Sequence, residues 1–158
     1  MAALDIGSTA PVFDLPGDGG AAVSLSALAG NPVVVYFYPK DDTPGCTKEA
    51  IAFTGLKAEF DALGITIIGI SPDTAAKHDK FAAKHGLQIR LAADTETKVA
   101  QDYGVWVEKS MYGKKYMGVE RSTFLIDQNG KIAVIWRKVK VPGHAEAVLE
   151  EARKLVVA

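Results

Sequence analysis

At 158 residues, 48 % hydrophobic and 23 % charged, the chain is the size of one globular domain that buries about 70 % of its unfolded surface. Its 18 Lys and Arg against 19 Asp and Glu leave a net charge of −1, which gives no basis for expecting a nucleic-acid or anionic-membrane partner. No apolar run is long enough to span a bilayer, and Met1–Gly7 lacks the basic region and apolar stretch of a secretory signal.

A glycine-rich stretch, Pro16–Ala22, reads as a turn between two short strands around Val12–Leu15 and Val23–Leu25, and Ser26–Gly30 as one helical turn ended by glycine. Val33–Tyr38 is near-continuously apolar, as suits a strand buried on both faces. From Pro44 to Leu63 a single helix is predicted, because Phe53, Leu56, Phe60 and Leu63 recur at helical spacing and Gly64 supplies the stop. Ile65–Ile70 reads as strand, Asp73–His85 as helix closed by Gly86, and Thr95–Tyr103 as a shorter helix. Trp106–Tyr116 mixes aromatics with Lys109, Lys114 and Lys115 and is taken as a solvated loop with core aromatics. Ser122–Asp127 and Lys131–Arg137 flank Gln128-Asn129-Gly130, a hairpin signal. Ala145, Val148, Leu149, Ala152, Leu155 and Val156 form one face of a last helix. Strands alternating with helices predict an α/β domain over residues 1–158, with a mixed central sheet flanked by helices and an N-terminal β-hairpin extension. This order is similar to that of the thioredoxin-like fold.

The single cysteine, Cys46, cannot form an internal disulfide, and no Cys/His cluster has zinc spacing; a reducing, cytoplasmic setting is the expectation. Cys46 follows a strand and a polar loop and opens a helix. A thiol there faces unpaired backbone N–H groups and the positive end of the helix dipole, which favour the thiolate. Thr43-Pro-Gly-Cys46 stands where a dithiol exchanger would carry two cysteines, so exchange within the site is unavailable. A lone activated thiolate beside a hydroxyl can instead attack a peroxide oxygen and become a sulfenic acid.

Pro39-x-x-x-Thr43-x-x-Cys46 resembles the peroxiredoxin active-site pattern. The longer string Tyr36–Ala50, with Phe81–Gly86, Tyr103–Trp106, Met111–Met117 and Glu120–Asp127, resembles the bacterioferritin-comigratory (thiol peroxidase Q) subfamily over nearly the whole chain. The resemblance implies a thiol-dependent peroxidase reducing hydrogen peroxide and alkyl hydroperoxides without haem, flavin or metal. It implies that Cys46 is the nucleophile, that Thr43 hydrogen-bonds the peroxide, that Pro39 shields the thiolate and that Arg121 points into the site. Gly45 is placed with the substrate-binding groups through its backbone N–H, and Glu49 beside it as a partner of Arg121. A monomer or weak dimer is expected.

Many members of the subfamily carry a resolving cysteine five residues after the first, where this chain has Ile51, native or introduced. Such positions are about 8.6 Å apart on an ideal helix, beyond the roughly 7 Å reach of a disulfide, so two-cysteine members must unwind it. Here the sulfenic acid must wait for an external thiol: thioredoxin, glutaredoxin, glutathione or Cys46 of another copy. The alternative is a peroxide sensor with little sustained turnover, and a non-enzymatic scaffold is a further rival. His78 and His85, seven apart, lack a third metal ligand, and Asp41-Asp42 reads as loop solvation.

Overall fold

A computed structural model describes residues 4–157. Its centre is the strand expected from the apolar run, β3 (Val33–Phe37), which is buried at every position. Two parallel strands, β4 (Thr66–Ser71) and β5 (Arg90–Ala93), extend the sheet on one side of it. Antiparallel β8 (Ser122–Ile126) and β9 (Ile132–Trp136) extend it on the other, giving the order β5-β4-β3-β8-β9 and the mixed sheet the sequence implies. Alternation along β3 divides the core, since successive side chains point to opposite faces. Val33, Val35 and Phe37 pack with Phe13, Tyr103 and Phe124, whereas Val34 and Tyr36 pack with Cys46, Phe53, Phe60 and Phe81.

The second face carries most of the helices, including the one that bears Cys46. Tyr36 lies across Gly69 of the neighbouring strand, where an added Cβ would come within 2.7 Å of the ring. That close approach lets Phe53 stack on Tyr36 at 4.8 Å and seats the helix bearing Cys46 on the sheet. A small antiparallel hairpin, β1 (Asp14–Leu15) and β2 (Val23–Ser24), confirms the N-terminal extension. It covers the edge of β5 through Ala93 N–H to the Pro16 carbonyl and through Arg90 to Asp18.

The structure departs from the sequence reading in several places. The predicted helix 44–63 is two helices, α1 (Pro44–Gly55) and α2 (Lys57–Ala62), broken at Leu56 with φ −102° and ψ 2°. Gly55 is a weak helix former, and the break lets Phe53 and Phe60 enter one cluster with rings 6.2 Å apart. β5 went unpredicted: it is four residues long and half alanine, which favours strands little. The helix expected over 95–103 is only α4 (Lys98–Asp102); Thr97 is left-handed, and Asp94 caps the helix by accepting from Val99 and Ala100 N–H. Trp106–Tyr116 is not a loop. It belongs to a hairpin of β6 (Trp106–Met111) and β7 (Lys114–Val119), turned by Tyr112 and Gly113 at positive φ. Its polar residues hid it, because most of the ribbon is open to solvent and needs no apolar alternation. Helix α3 (Ala75–His85) and helix α5 (His144–Val157) match expectation, except that Val156 is exposed.

Candidate active site

After β3 the backbone continues as Tyr38 and turns through Pro39-Lys-Asp-Asp-Thr43 into α1. Asp42 takes a left-handed conformation at φ 61°, and Thr43 occupies the N-cap position with Pro44 next, where its missing N–H costs nothing. Thr43 does not cap the helix with its side chain; its hydroxyl donates to the Lys40 carbonyl at 2.9 Å. The first-turn N–H groups of Gly45 and Cys46 therefore keep no side-chain acceptor, at the helix end that carries the thiol.

Cys46 is free and 2 % exposed. Arg121, immediately before β8, brings Nη2 to 3.2 Å from Sγ and donates through Nη1 to Glu49 Oε1 at 2.6 Å. The two residues lie 75 positions apart, and the antiparallel pairing of Phe37 with Ser122 is what joins them. Burial alone would lower the pKa of Arg121, but Glu49 and Cys46 outweigh it and raise it. Burial pushes Glu49 up to about 7, against the opposing pull of Arg121. Its second oxygen, Oε2, has no hydrogen-bond partner, and among the described residues the only other such buried side-chain atom is Tyr36 Oη.

The structure thus brings Cys46, Gly45, Glu49 and Arg121 together; a Cβ on Gly45 would sit 3.2 Å from Arg121 Nη2. Pro39 is half-buried at the start of the turn, and Thr43 at its end. Ile51 is 47 % exposed, away from the buried thiol. Lys109 of β6 is half-buried, and burial and the Arg121 charge lower its pKa. His144 opens α5, bonds Thr123 Oγ1 at 2.8 Å and is lowered to about 4 by burial and by Arg121.

Sequence reasoning missed the supports of the turn. Asp41, expected in solvent, is buried, and its carboxylate meets Tyr38 Oη and His78 Nδ1, each at 2.6 Å. Asp42 pairs with Lys84 Nζ at 2.7 Å and His85 Nε2 at 2.8 Å. The two histidines of α3 thus face different aspartates. The available signal was the shared face of His78 and His85 together with Asp41-Asp42, which is ambiguous until α3 is placed against the turn.

The family model of the AhpC/TSA family matches residues 6–135. Peroxiredoxin Bcp of Bacillus subtilis is 47 % identical over 152 residues, covering 96 % of this chain and 97 % of that one. Among solved structures, Xanthomonas campestris Peroxiredoxin Q superposes with a TM-score of 0.87 at 45 % identity, covering 91 % of each chain. A cysteine-to-serine variant of Xylella fastidiosa PrxQ reaches 0.92 at 37 % identity over 98 % of each.

Proposed function

The chain belongs to the AhpC/TSA family and is a peroxiredoxin, a thiol-dependent peroxidase, and from this premise we propose that Cys46 reduces hydrogen peroxide and alkyl hydroperoxides and is recycled by an external thiol. The observation that carries the assignment of Cys46 is the 3.2 Å contact between its sulfur and the Arg121 guanidinium, in a buried site at a helix start. A fixed cation there favours the thiolate and offsets charge developing on the peroxide oxygens.

In this reading the thiolate attacks the terminal oxygen of R–O–OH. The S–O bond forms as the O–O bond breaks, and RO⁻ leaves and takes up a proton to become water or alcohol. Sulfur is oxidised to sulfenic acid and peroxide is reduced. Because the Thr43 hydroxyl proton is committed to Lys40, its oxygen is free to accept the peroxide O–H and align the O–O bond. Pro39, at the head of the turn, limits water at the sulfur. An external thiol R′SH then attacks the sulfenic sulfur, releasing water and leaving a mixed disulfide, and a second thiol frees Cys46 as R′SSR′ departs. Thioredoxin, glutaredoxin and glutathione fit this step, since Cys46 is the only thiol. Substrate range is supported by one Xanthomonas campestris relative, described by its alkyl peroxide reduction activity, which is 44 % identical with a TM-score of 0.87. Among the described residues no helix is long and apolar enough to cross a membrane, and a reducing cytoplasm would supply the thiol.

The test is stopped-flow oxidation of the fully reduced protein in a single turnover. Stoichiometric loss of peroxide, abolished in Cys46→Ser and slowed at least tenfold in Thr43→Val, supports the reading; a wild-type rate no faster than that of a free thiolate overturns it. The lone thiol also suits a peroxide sensor, which would show this first turnover but no sustained turnover with any of the three reductants.

A further inference from the structure

The turn that carries Pro39 and Thr43 is fastened to α3 by a buried polar lattice that the peroxide chemistry does not use. Tyr38 Oη donates to Asp41 Oδ1 at 2.6 Å, and Asp41 Oδ2 lies 2.6 Å from His78 Nδ1. His78 is fully buried, and its Nε2 is 3.0 Å from the Ala92 carbonyl on β5. A carbonyl can only accept, so Nε2 carries a proton and donates it. One further proton lies between Nδ1 and the Asp41 carboxylate, and the pair is neutral overall. The Asp41 backbone N–H donates to Asp73 Oδ2 at 2.7 Å, an oxygen that also accepts from Ser71 Oγ. Every polar group of the Asp41 side chain is thus satisfied inside the protein, at the middle of a five-residue turn.

Such a lattice has a cost that a solvated turn would avoid, because burying a carboxylate and an imidazole is unfavourable unless each hydrogen bond is made. Only one residue separates Asp41 from Pro39 on one side and from Thr43 on the other, so holding Asp41 restrains both. Thr43 in turn depends on the shape of the turn, since its hydroxyl donates back to Lys40.

We propose that the Tyr38–Asp41–His78 lattice is a positioning device for the peroxidase site: by clamping the turn to α3 it sets the Thr43 hydroxyl and the Pro39 ring against Cys46. Asp41 and His78 are positioning residues that touch neither peroxide nor sulfur. The inference rests on the reading of Thr43 as the group that aligns peroxide.

Two rates on the same reduced protein separate positioning from general stability. Oxidation by hydrogen peroxide requires Thr43 in place, whereas alkylation of Cys46 by iodoacetamide requires only the thiolate and access to it. In Asp41→Ala the peroxide rate is expected to fall about tenfold or more while alkylation stays within about twofold. Asp41→Asn restores most of the peroxide rate, because its carbonyl can accept from Tyr38 and its amide can donate to a neutral His78 Nδ1. In the Thr43→Val background Asp41→Ala should add little, since both changes remove one alignment. A folded Asp41→Ala with the wild-type peroxide rate overturns the proposal. So does a loss shared equally by alkylation, or an effect fully additive with Thr43→Val. If Asp41→Ala does not fold, Tyr38→Phe, which removes one bond to the same carboxylate, takes its place: a selective fall in peroxide rate supports the proposal and an unchanged rate overturns it. Should Thr43→Val itself leave the peroxide rate intact, the underlying reading of Thr43 fails instead.

Discussion

Gly45 shows how closely one position can bind fold to chemistry. It lies in the first turn of α1, where alanine would be the better helix former by roughly 1 kcal/mol. A Cβ there would meet Arg121 Nη2 at 3.2 Å, and that guanidinium is already held by Glu49 on one side and Cys46 on the other. Gly45→Ala is therefore expected to leave thermal stability equal or higher while lowering the peroxide rate about tenfold, by pushing the cation off the sulfur. Paired melting curves and stopped-flow traces check both signs, and a variant of wild-type rate would mean that Arg121 has room to yield. Neither the proximity of Gly45 to a residue 76 positions later nor the burial of Asp41 can be read from local sequence, because each depends on which strand pairs with β3 and which helix packs on the turn.

At the level of elements, α1 carries the thiol at its first turn and is anchored one and two turns later by Ala50 and Phe53 in the core. Ile51 is about half exposed whereas Cys46 is buried, so the side chain five positions on points away from Cys46. With no thiol there, oxidation gives this helix no reason to unwind. Hydrogen exchange across residues 46–53 is expected to stay within about twofold between reduced and sulfenic forms. Ile51→Cys, which can close a disulfide only by unwinding the helix, should exchange much faster in this segment once oxidised. A sharp rise in the unaltered chain would count against a static α1.

Across the whole molecule, the charge of Arg121 links two buried groups on different helices whose titrations oppose one another. Glu49 takes a folded pKa of about 7 against an ordinary 4.5, so between those values the native state holds a proton that the unfolded chain has released. Stability from this group is full below about 4.5 and is lost as pH rises toward 7. His144 is lowered to about 4 from 6.5, so its contribution is present above 6.5 and lost as pH falls toward 4. Each shift corresponds to at most about 3–4 kcal/mol. In the shared window the slopes cancel, and the melting temperature should be nearly flat from about pH 4.5 to 6.5. Glu49→Gln should expose a melting temperature that rises with pH over this range, and His144→Gln one that falls. Parallel slopes in both variants would show that the two groups do not offset each other.

The sequence by itself determined the family, the α/β class and the candidate chemistry, because these rest on local pattern. An apolar run marks a buried strand, and a cysteine after Thr-Pro-Gly at a helix start marks a candidate nucleophile. It also left one thiol with no internal partner, which requires recycling from outside if turnover is sustained. What only the tertiary structure decided was where distant segments meet. Arg121 reaches the thiol through the pairing of β3 with β8, Glu49 is buried behind it, and His78 grips the turn across the β3–α3 junction. Those contacts come from packing, in which burial and hydrogen-bond satisfaction select one partner for each polar group, and such selection leaves no periodic trace along the chain.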